Sequence, residues 1–439
     1  MSQPGFPTIM GAPVAPDPTT YLTFGDRLIP WEYDGWDVES LSWKTGCYIH
    51  SGLSNYQLHF EGADALDFFK SIATNSFEKF SIGAMKHAVM CTDDGLIAQH
   101  AILQRNGETL FKLFAAGLPW ATYLASRSGL DVKVEPVGAF LHQVAGPTSL
   151  ATLERAAGES LSDIAFLRFR MASIAGHRVE IARIGMSGNL AYEVRGPIEQ
   201  GPDVYNAILA AGRDFNIRRL GWRTYFVNHV EGGFPQTGWT FFNASIMDAD
   251  FRALVGKRGE PRLTGSVDPA NLRARLRTPA EVGWEHTVRL DHDFKGRAAI
   301  EAELADPRRT IVTLRWEPED VLDIHASLMQ PGEPYKIIDM PTTPSWQHGF
   351  FAHADHVLRD GKPVGYSSGT IYSYYFREML SVATIDRDCA EIGTDVVVQW
   401  GDHGKRIKNV RARVERYPYL SEGRNDQVDA GTLGSAGQG

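Results

Sequence analysis

The sequence predicts an α+β protein in which a mixed region of helices and strands precedes an all-β domain. Segments with helical spacing and segments that alternate apolar and polar residues are interleaved from residue 21 to residue 309. From Thr310 only short strand-like segments recur, joined by hairpin signals, which is typical of a β-barrel. The 439 residues exceed one typical core, and roughly 100–200 residues per domain gives two or three domains.

In the first region, alternation predicts strands and an apolar period near 3.6 predicts helices. A turn at Asp93-Asp94-Gly95 separates two of the strands. The predicted strands are 56–60, 88–90, 96–103, 111–115, 132–134, 140–144, 177–183 and 191–194. The predicted helices are 64–71, 118–128, 149–157 and 202–212.

The domain boundary is expected at residues 305–309, where the sequence reads ADPRR. The predicted barrel strands are 310–316, 335–338, 356–358, 379–385, 396–400 and 410–414. We therefore divide the chain into a flexible, Pro/Gly-rich N-terminus (1–20), a two-lobed region (21–309), a β-barrel domain (310–420) and a disordered Gly/Ser/Asp-rich tail (421–439).

Composition excludes several classes of protein. The 44 basic and 53 acidic residues give a net charge of −9 without a long basic cluster, so a nucleic-acid partner is not expected. Cys47, Cys91 and Cys389 lie far apart, which argues against a disulfide framework and a thiolate zinc site. No run approaches the roughly 20 apolar residues of a membrane span, and the N-terminus lacks a secretory pattern. We expect a cytoplasmic protein with a small-molecule partner.

Common catalytic motifs are absent: the sequence has no phosphate-binding P-loop, no dinucleotide fingerprint, no GxSxG elbow and no HExxH. Two histidine pairs, His353 with His356 and His286 with His292, are interpreted as loop histidines. Since neither pair has a further ligand signalled nearby, no metal site is predicted.

The most unusual segment is residues 221–244 (GWRTYFVNHVEGGFPQTGWTFFNA), in which Glu231 stands among aromatic residues and beside two glycines. Glycines let the backbone approach a ligand closely, and a carboxylate between flat apolar walls suits a heterocycle with adjacent N–H donors, such as a pterin. The alternative is an aromatic core segment with a solvated glutamate.

This segment resembles the folate-site signature of the glycine-cleavage T-protein family of tetrahydrofolate-dependent transferases. Other pieces follow in the order of that family, and the resemblance continues to about Pro418. The signature residues are Gly221, Arg223, Glu231 and Gly233, and the other matching pieces are Thr74-Asn75, Asp94-Gly95-Leu96-Ile97, Ala145-Gly146-Pro147, Tyr192-Glu193-Val194 and Phe294-Lys295-Gly296-Arg297.

Within the family, the chain is most similar to the folate-dependent aromatic O-demethylases that act on vanillate and syringate. That branch has a Tyr and an Asn where this chain has Tyr225 and Asn228. The resemblance implies a three-lobed cloverleaf around a folate channel, with tetrahydrofolate as the acceptor of an ether carbon. It also implies a phenol or catechol product, with 5-methyl-tetrahydrofolate from a methoxy group or 5,10-methylene-tetrahydrofolate from a methylenedioxy group.

The chain departs from the family pattern at two places. Aminomethyltransferases carry a catalytic Asp where this chain has Gln99, followed by His100, which argues against glycine cleavage. The aromatic-acid demethylases have a carboxylate-binding Arg where this chain has Ala115. We therefore expect a neutral aromatic ether as substrate, either a methoxyarene or a methylenedioxyphenyl compound such as a lignan of the sesamin type.

The resemblance assigns roles to particular residues. Tyr225 is the candidate proton donor to the leaving oxygen, and His100 is the second candidate; a positioned acid contributes about 10²–10⁴-fold. The expected cofactor-binding residues are Glu231 as pterin anchor, with Asn228, Tyr192, Glu193 and Gln99 beside it. The alternatives are an aminomethyltransferase-like enzyme, a sulfonium or amine demethylase, and a folate-binding regulatory protein without catalysis.

Overall fold

The computed structural model describes residues 8–9, 20–24, 27–51, 56–115, 119–256, 262–341 and 351–433. A three-stranded sheet comes first, in the order β1-β3-β2. Its strands are β1 (Thr8–Ile9), β2 (Thr20–Phe24) and β3 (Arg27–Glu32). Of the expected flexible N-terminus, residues 8–9 pair with β3 and residue 20 begins β2, while the rest lies outside the described residues.

A ten-stranded sheet organises the first region of the chain. Its strands are β4 (Cys47–Ser51), β5 (Tyr56–Glu61), β6 (Met85–Cys91), β7 (Ile97–Arg105), β8 (Leu110–Ala115), β9 (Lys133–Ala145), β10 (Phe169–Ile174), β11 (His177–Ala182), β12 (Ala191–Pro197) and β13 (Ile217–Arg219). Eight strands follow the order β10-β11-β12-β9-β5-β8-β7-β6, and β4 pairs with both β9 and β13. The predicted strands 132–134 and 140–144 are one continuous strand, β9, in the structure. They join because the hydrogen-bonded ladder continues through Pro136 and Gly138.

Ten α-helices lie in the part of the chain that the structure describes. They are α1 (Trp36–Thr45), α2 (Ala65–Ile72), α3 (Trp120–Ser128), α4 (Ser149–Ala157), α5 (Gly201–Ala211), α6 (Trp222–Gly232), α7 (Ala249–Val255), α8 (Arg297–Ala305), α9 (Pro318–Ser327) and α10 (Ala430–Leu433). The four predicted helices correspond to α2, α3, α4 and α5. No helix in the part of the chain that the structure describes is long and apolar enough to cross a bilayer.

The predicted C-terminal barrel is confirmed as a closed barrel in the order β15-β19-β18-β17-β20-β21. Two short strands, β14 (Arg262–Thr264) and β16 (Phe351–His353), pair with each other outside it. The barrel strands are β15 (Arg309–Trp316), β17 (Asp355–Arg359), β18 (Lys362–Ser373), β19 (Glu378–Asp386), β20 (Asp395–Trp400) and β21 (Lys408–Glu415).

Two parts of the barrel domain differ from the sequence prediction. Residues 335–338 form no strand; they lie against the barrel, where the Lys336 carbonyl accepts a hydrogen bond of 2.7 Å from the Trp400 indole. The prediction also missed α9 and β18, the latter because its run KPVGYSSGTIYS interrupts apolar alternation with small polar residues and glycine.

Residues 421–433 differ from the expected disordered tail. The buried Arg183 guanidinium donates to Asn425 Oδ1 at 3.1 Å and to the carbonyls of Asn425 and Val428. The Asn425 side-chain amide in turn donates to the Ala191 carbonyl, and Ala430 is buried in the apolar core beside α4 and α5. Composition alone did not reveal these contacts, since they join polar groups more than 200 residues apart.

We predict that Asn425→Ala lowers the free energy of unfolding by about 2–4 kcal/mol, because it leaves one buried donor on Arg183 and the Ala191 carbonyl unpaired, each costing roughly 1–3 kcal/mol. Urea denaturation of the full chain measures this change. The control is Asp426→Ala at the adjacent exposed position, for which the change should stay within about 0.5 kcal/mol. Equal effects of the two substitutions would contradict a structural role for the tail.

Candidate active site

Helix α6 lies at the centre of the molecule, packed against α1, β3 and barrel strand β18. Glu39 of α1 holds its first turn: Glu39 Oε2 accepts hydrogen bonds from the Gly221 N–H at 2.8 Å and the Thr224 hydroxyl at 3.0 Å. The helix ends at Gly233 with φ of +71°, and a Cβ on Gly232 would collide with the Ser187 carbonyl oxygen. The two glycines after Glu231 therefore allow close backbone packing.

Residues three positions apart share one stripe of a helix, and this spacing brings Tyr225, Asn228 and Glu231 together on α6. All three side chains are buried, with at most 5% of each residue exposed. The stripe contains the candidate donor and two of the five expected cofactor-binding residues.

The Glu231 carboxylate is completely buried and already has two partners. Lys44 of α1 donates to Glu231 Oε2, and the Ser373 hydroxyl of β18 donates to Glu231 Oε1 at 2.6 Å. Burial lowers the pKa of Lys44 to about 8, although the Glu231 charge opposes that shift. A buried charge pair needs such extra hydrogen bonds to offset its desolvation. The pterin-anchoring role of Glu231 stays a prediction.

The Tyr225 ring is enclosed by other rings. It stacks on His50 with a centroid distance of 4.4 Å and packs edge-on against His229 at 4.4 Å. Its hydroxyl has the Met186 sulfur as its nearest polar contact, at 3.6 Å. Burial raises the pKa of Tyr225 well above its usual value, so the hydroxyl stays protonated at neutral pH. The proton is thus held by a weak acceptor only.

A chain of hydrogen bonds connects α6 with the sheet. The Asn228 amide donates to the Tyr48 oxygen at 3.1 Å, and the Tyr48 hydroxyl donates to Gln143 Oε1 at 2.6 Å. Three polar atoms around this chain are buried without a hydrogen-bond partner: Asn228 Oδ1, Gln143 Nε2 and His50 Nε2. Because orphaned buried polar atoms are costly, they indicate a place where a polar ligand belongs.

Adjacent residues Tyr192 and Glu193 point to opposite faces of β12. The Glu193 carboxylate pairs with Arg195 and lies close enough to Tyr48 and Tyr225 to raise the pKa of both hydroxyls further. Tyr192 instead packs into the core between the sheet and α4 and α5, with its hydroxyl unpartnered. The expectation that both residues line one channel is therefore wrong for Tyr192.

The same alternation separates Gln99 from His100 on β7. Gln99 Oε1 accepts a hydrogen bond of 2.9 Å from the Ala121 N–H at the start of α3, on the face opposite His100. The expected place of Gln99 at the cofactor is therefore wrong. His100 lies 2.8 Å from His87, Nε2 to Nδ1, and packs against Trp284 and Phe234. His229 also contacts Phe234, so the row of rings Tyr225, His229, Phe234 and His100 joins the two candidate donors.

The sequence interpretation missed Lys44, Tyr48, His50 and Gln143. The first three lie 175 to 187 positions from their partners on α6, and Gln143 lies 95 positions from its partner Tyr48. For Tyr48 and His50, the sequence of β4 did contain a usable signal. The strand CYIHS alternates, and Tyr48 and His50 are the polar residues of one face.

A family model described as the GCVT N-terminal domain matches residues 22–245. The chain belongs to the GCVT family. This confirms the resemblance inferred from the sequence motifs.

Two relatives align along nearly the whole chain. A sesamin methylene transferase of Sinomonas sp. (strain No.22) is 38% identical over 424 residues, covering 92% of this chain and 93% of the relative. A syringate O-demethylase of Sphingobium sp. (strain NBRC 103272 / SYK-6) is 31% identical over 432 residues, covering 92% of each.

A solved structure confirms the predicted fold of this GCVT-family chain. The glycine cleavage system aminomethyltransferase T from Bartonella henselae superposes with a TM-score of 0.65, covering 92% of this chain and 95% of that one. The sequences are 18% identical, so this likeness concerns the fold alone.

Buried neutral histidines predict that the protein loses stability in acid. Burial lowers the pKa of His229 to about 3, against an unfolded value near 6.5. Between these values the unfolded chain binds more protons than the folded one, so stability falls as the pH falls. We expect wild type to lose about 2 kcal/mol more than His229→Gln between pH 7 and pH 5, measured by urea denaturation. If wild type and His229→Gln lost the same free energy of unfolding between pH 7 and pH 5, the lowered pKa of His229 would be contradicted.

Proposed function

We propose that this GCVT-family chain is a transferase that moves a one-carbon group from a neutral aromatic ether to tetrahydrofolate. The carrying observation is the α6 stripe, in which Tyr225, with a protonated hydroxyl that has no strong acceptor, is followed at intervals of three residues by Asn228 and Glu231. The two full-length relatives, a methylene transferase and an O-demethylase, support carbon–oxygen cleavage at an aromatic ether. The cytoplasmic location expected from the sequence is part of this proposal.

The residues fit a reduced pterin. Asn228 Oδ1 is a buried acceptor without a partner, and each Glu231 oxygen keeps one lone pair beyond those used by Lys44 and Ser373. Asn228 and Glu231 would therefore hold the N–H groups of the pterin. When bound, tetrahydrofolate supplies the nitrogen that accepts the carbon, giving the 5-methyl form from a methoxy group or the 5,10-methylene form from a methylenedioxy group.

Tyr225 would give its proton to the phenolate oxygen as the carbon–oxygen bond breaks, and it would recover the proton that is released when the accepting nitrogen forms its bond to carbon. An unactivated aryl ether has a poor leaving group, and a hydroxyl that remains protonated at neutral pH can donate to it. His100 is the second candidate donor. Burial lowers its pKa well below the usual value, so it is neutral and carries one N–H.

A neutral substrate is supported by the pairing of the nearby basic groups. Arg195 is buried between Glu193 and Glu180, and Lys112 also pairs with Glu180. Arg195, Lys112 and Glu180 border a cavity of about 190 Å³. The exposed Arg178 lies at the edge of this cavity. An aromatic carboxylate entering there would compete with carboxylates already in place.

Other anchors for an acid are also engaged. Arg127 pairs with Asp250 at the surface, and Arg223 pairs with Glu32 at 2.7 Å. The Ala115 side chain lies outside what the structure describes.

The substrate class is tested by incubating the purified protein and tetrahydrofolate with methoxy- and methylenedioxyarenes, each beside its carboxylated analogue. We expect a carbon-bearing folate by mass spectrometry, and a kcat/KM at least about tenfold higher for the neutral compound, or roughly 1.4 kcal/mol. Absence of folate product with every ether would contradict the transferase. Equal use of the acid would contradict the neutral substrate alone.

The donor is tested by Tyr225→Phe, which removes only the hydroxyl. We expect kcat to fall by about two orders of magnitude or more while the Kd for tetrahydrofolate stays unchanged, because the lost proton acts on the leaving group. The matched control is Tyr192→Phe, which removes a hydroxyl from the face of β12 opposite Glu193. Its kcat should be unchanged. An inactive His100→Ala together with an active Tyr225→Phe would reverse the two roles.

A further inference from the structure

A pair of buried polar residues on the sheet, opposite α6, has no role in the chemistry assigned so far. His50 of β4 and Gln143 of β9 are register partners in the antiparallel ladder, so their side chains lie next to each other on one face. Both are at most 2% exposed. We infer that His50 and Gln143 form the sheet side of the pterin site, opposite the α6 stripe; this rests on the proposed function.

The proton on His50 can be placed from its contacts. Its Nδ1 lies 2.8 Å from the Leu220 carbonyl oxygen, which can only accept, so Nδ1 carries the hydrogen. Burial lowers the pKa of His50 to about 4, and the ring is neutral at pH 7. His50 Nε2 is therefore an acceptor, and it is one of the buried atoms without a partner.

Gln143 and Asn228 leave one donor and one acceptor unused. Tyr48 joins them by accepting from the Asn228 amide and donating to Gln143 Oε1. The Gln143 amide nitrogen and Asn228 Oδ1 remain without partners. Turning both amides would reverse the direction of the chain but would again leave one donor and one acceptor, so the conclusion does not depend on amide orientation.

The unused groups match the polar edge of a reduced pterin. Its 2-amino and ring N–H groups are donors for the two acceptors, His50 Nε2 and Asn228 Oδ1, and its 4-oxo group is an acceptor for the Gln143 amide. The site also adjoins the candidate donor, since the Tyr225 ring stacks on His50 with an interplanar angle of 18°.

The inference is tested by titration calorimetry of the full chain with (6S)-5-formyltetrahydrofolate, an air-stable reduced folate, and with p-aminobenzoylglutamate, which lacks the pterin. Gln143→Met removes the donor at similar volume, and His50→Phe keeps the stacking ring but removes the acceptor. The control is Tyr192→Phe, which removes an equally buried, unpartnered hydroxyl from the core beside α4 and α5.

We expect each site variant to weaken binding of the formyl folate by about tenfold or more, with p-aminobenzoylglutamate binding and the Tyr192→Phe variant unaffected. The melting temperature of ligand-free Gln143→Met is expected to fall modestly, because the substitution also removes the acceptor of the buried Tyr48 hydroxyl. If His50→Phe does not fold, His50→Leu, which is smaller and has no polar side-chain atom, replaces it with the same expected loss.

Two outcomes separate this inference from the proposed function. Wild type that binds the formyl folate, with site variants that bind within about twofold of it, would overturn the role of His50 and Gln143 alone. Wild type that does not bind the formyl folate would contradict the proposed function itself.

Discussion

The buried pair of Lys44 and Glu231 is the interaction on which the arrangement of the site depends. It joins α1 to α6, and the Ser373 hydroxyl adds barrel strand β18 to the same carboxylate. Two charges removed from water are stable only with precise geometry and further hydrogen bonds. Three elements that are distant in sequence are therefore held at fixed positions around one side chain. The Asn228 amide and the Tyr225 hydroxyl, about one and two turns earlier on α6, take their places from that arrangement.

The electrostatic character of the site follows from its burial. Low solvent access keeps His50, His87 and His229 neutral and keeps Tyr225 protonated. Water is a competing acceptor for protons and a competing partner for polar ligands, so its exclusion strengthens each hydrogen bond that a ligand makes there. The charges that remain are paired: Lys44 with Glu231, and Arg195 and Lys112 with Glu193 and Glu180. The interior thus offers hydrogen bonds to a substrate rather than net charge.

Local patterns in the sequence predicted much of the fold and part of the site. Helix α4 has the predicted bounds of residues 149–157, since its apolar spacing and the glycine after it agree. The family resemblance identified Tyr225, Asn228 and Glu231, but no helix was predicted over residues 222–232, so their common stripe on α6 is seen only in the structure. Tyr192 and Gln99 were misplaced because a motif match does not state which face of a strand a residue occupies. Lys44 and Gln143 could not be found, because their importance arises from contacts between distant segments.

The contacts of residues 420–425 set the order in which the site can be assembled. The Leu420 N–H donates to the Glu231 carbonyl at 2.7 Å, and Arg424 donates to the Gly232 carbonyl at 2.6 Å. These bonds satisfy carbonyls at the end of α6, yet their donors lie about 190 residues later in the chain. At about 5–20 residues per second, a ribosome needs roughly 10–40 s to reach them after α6 has been made. During that interval the sheet can form, while the end of α6 must wait for the last part of the polypeptide to emerge.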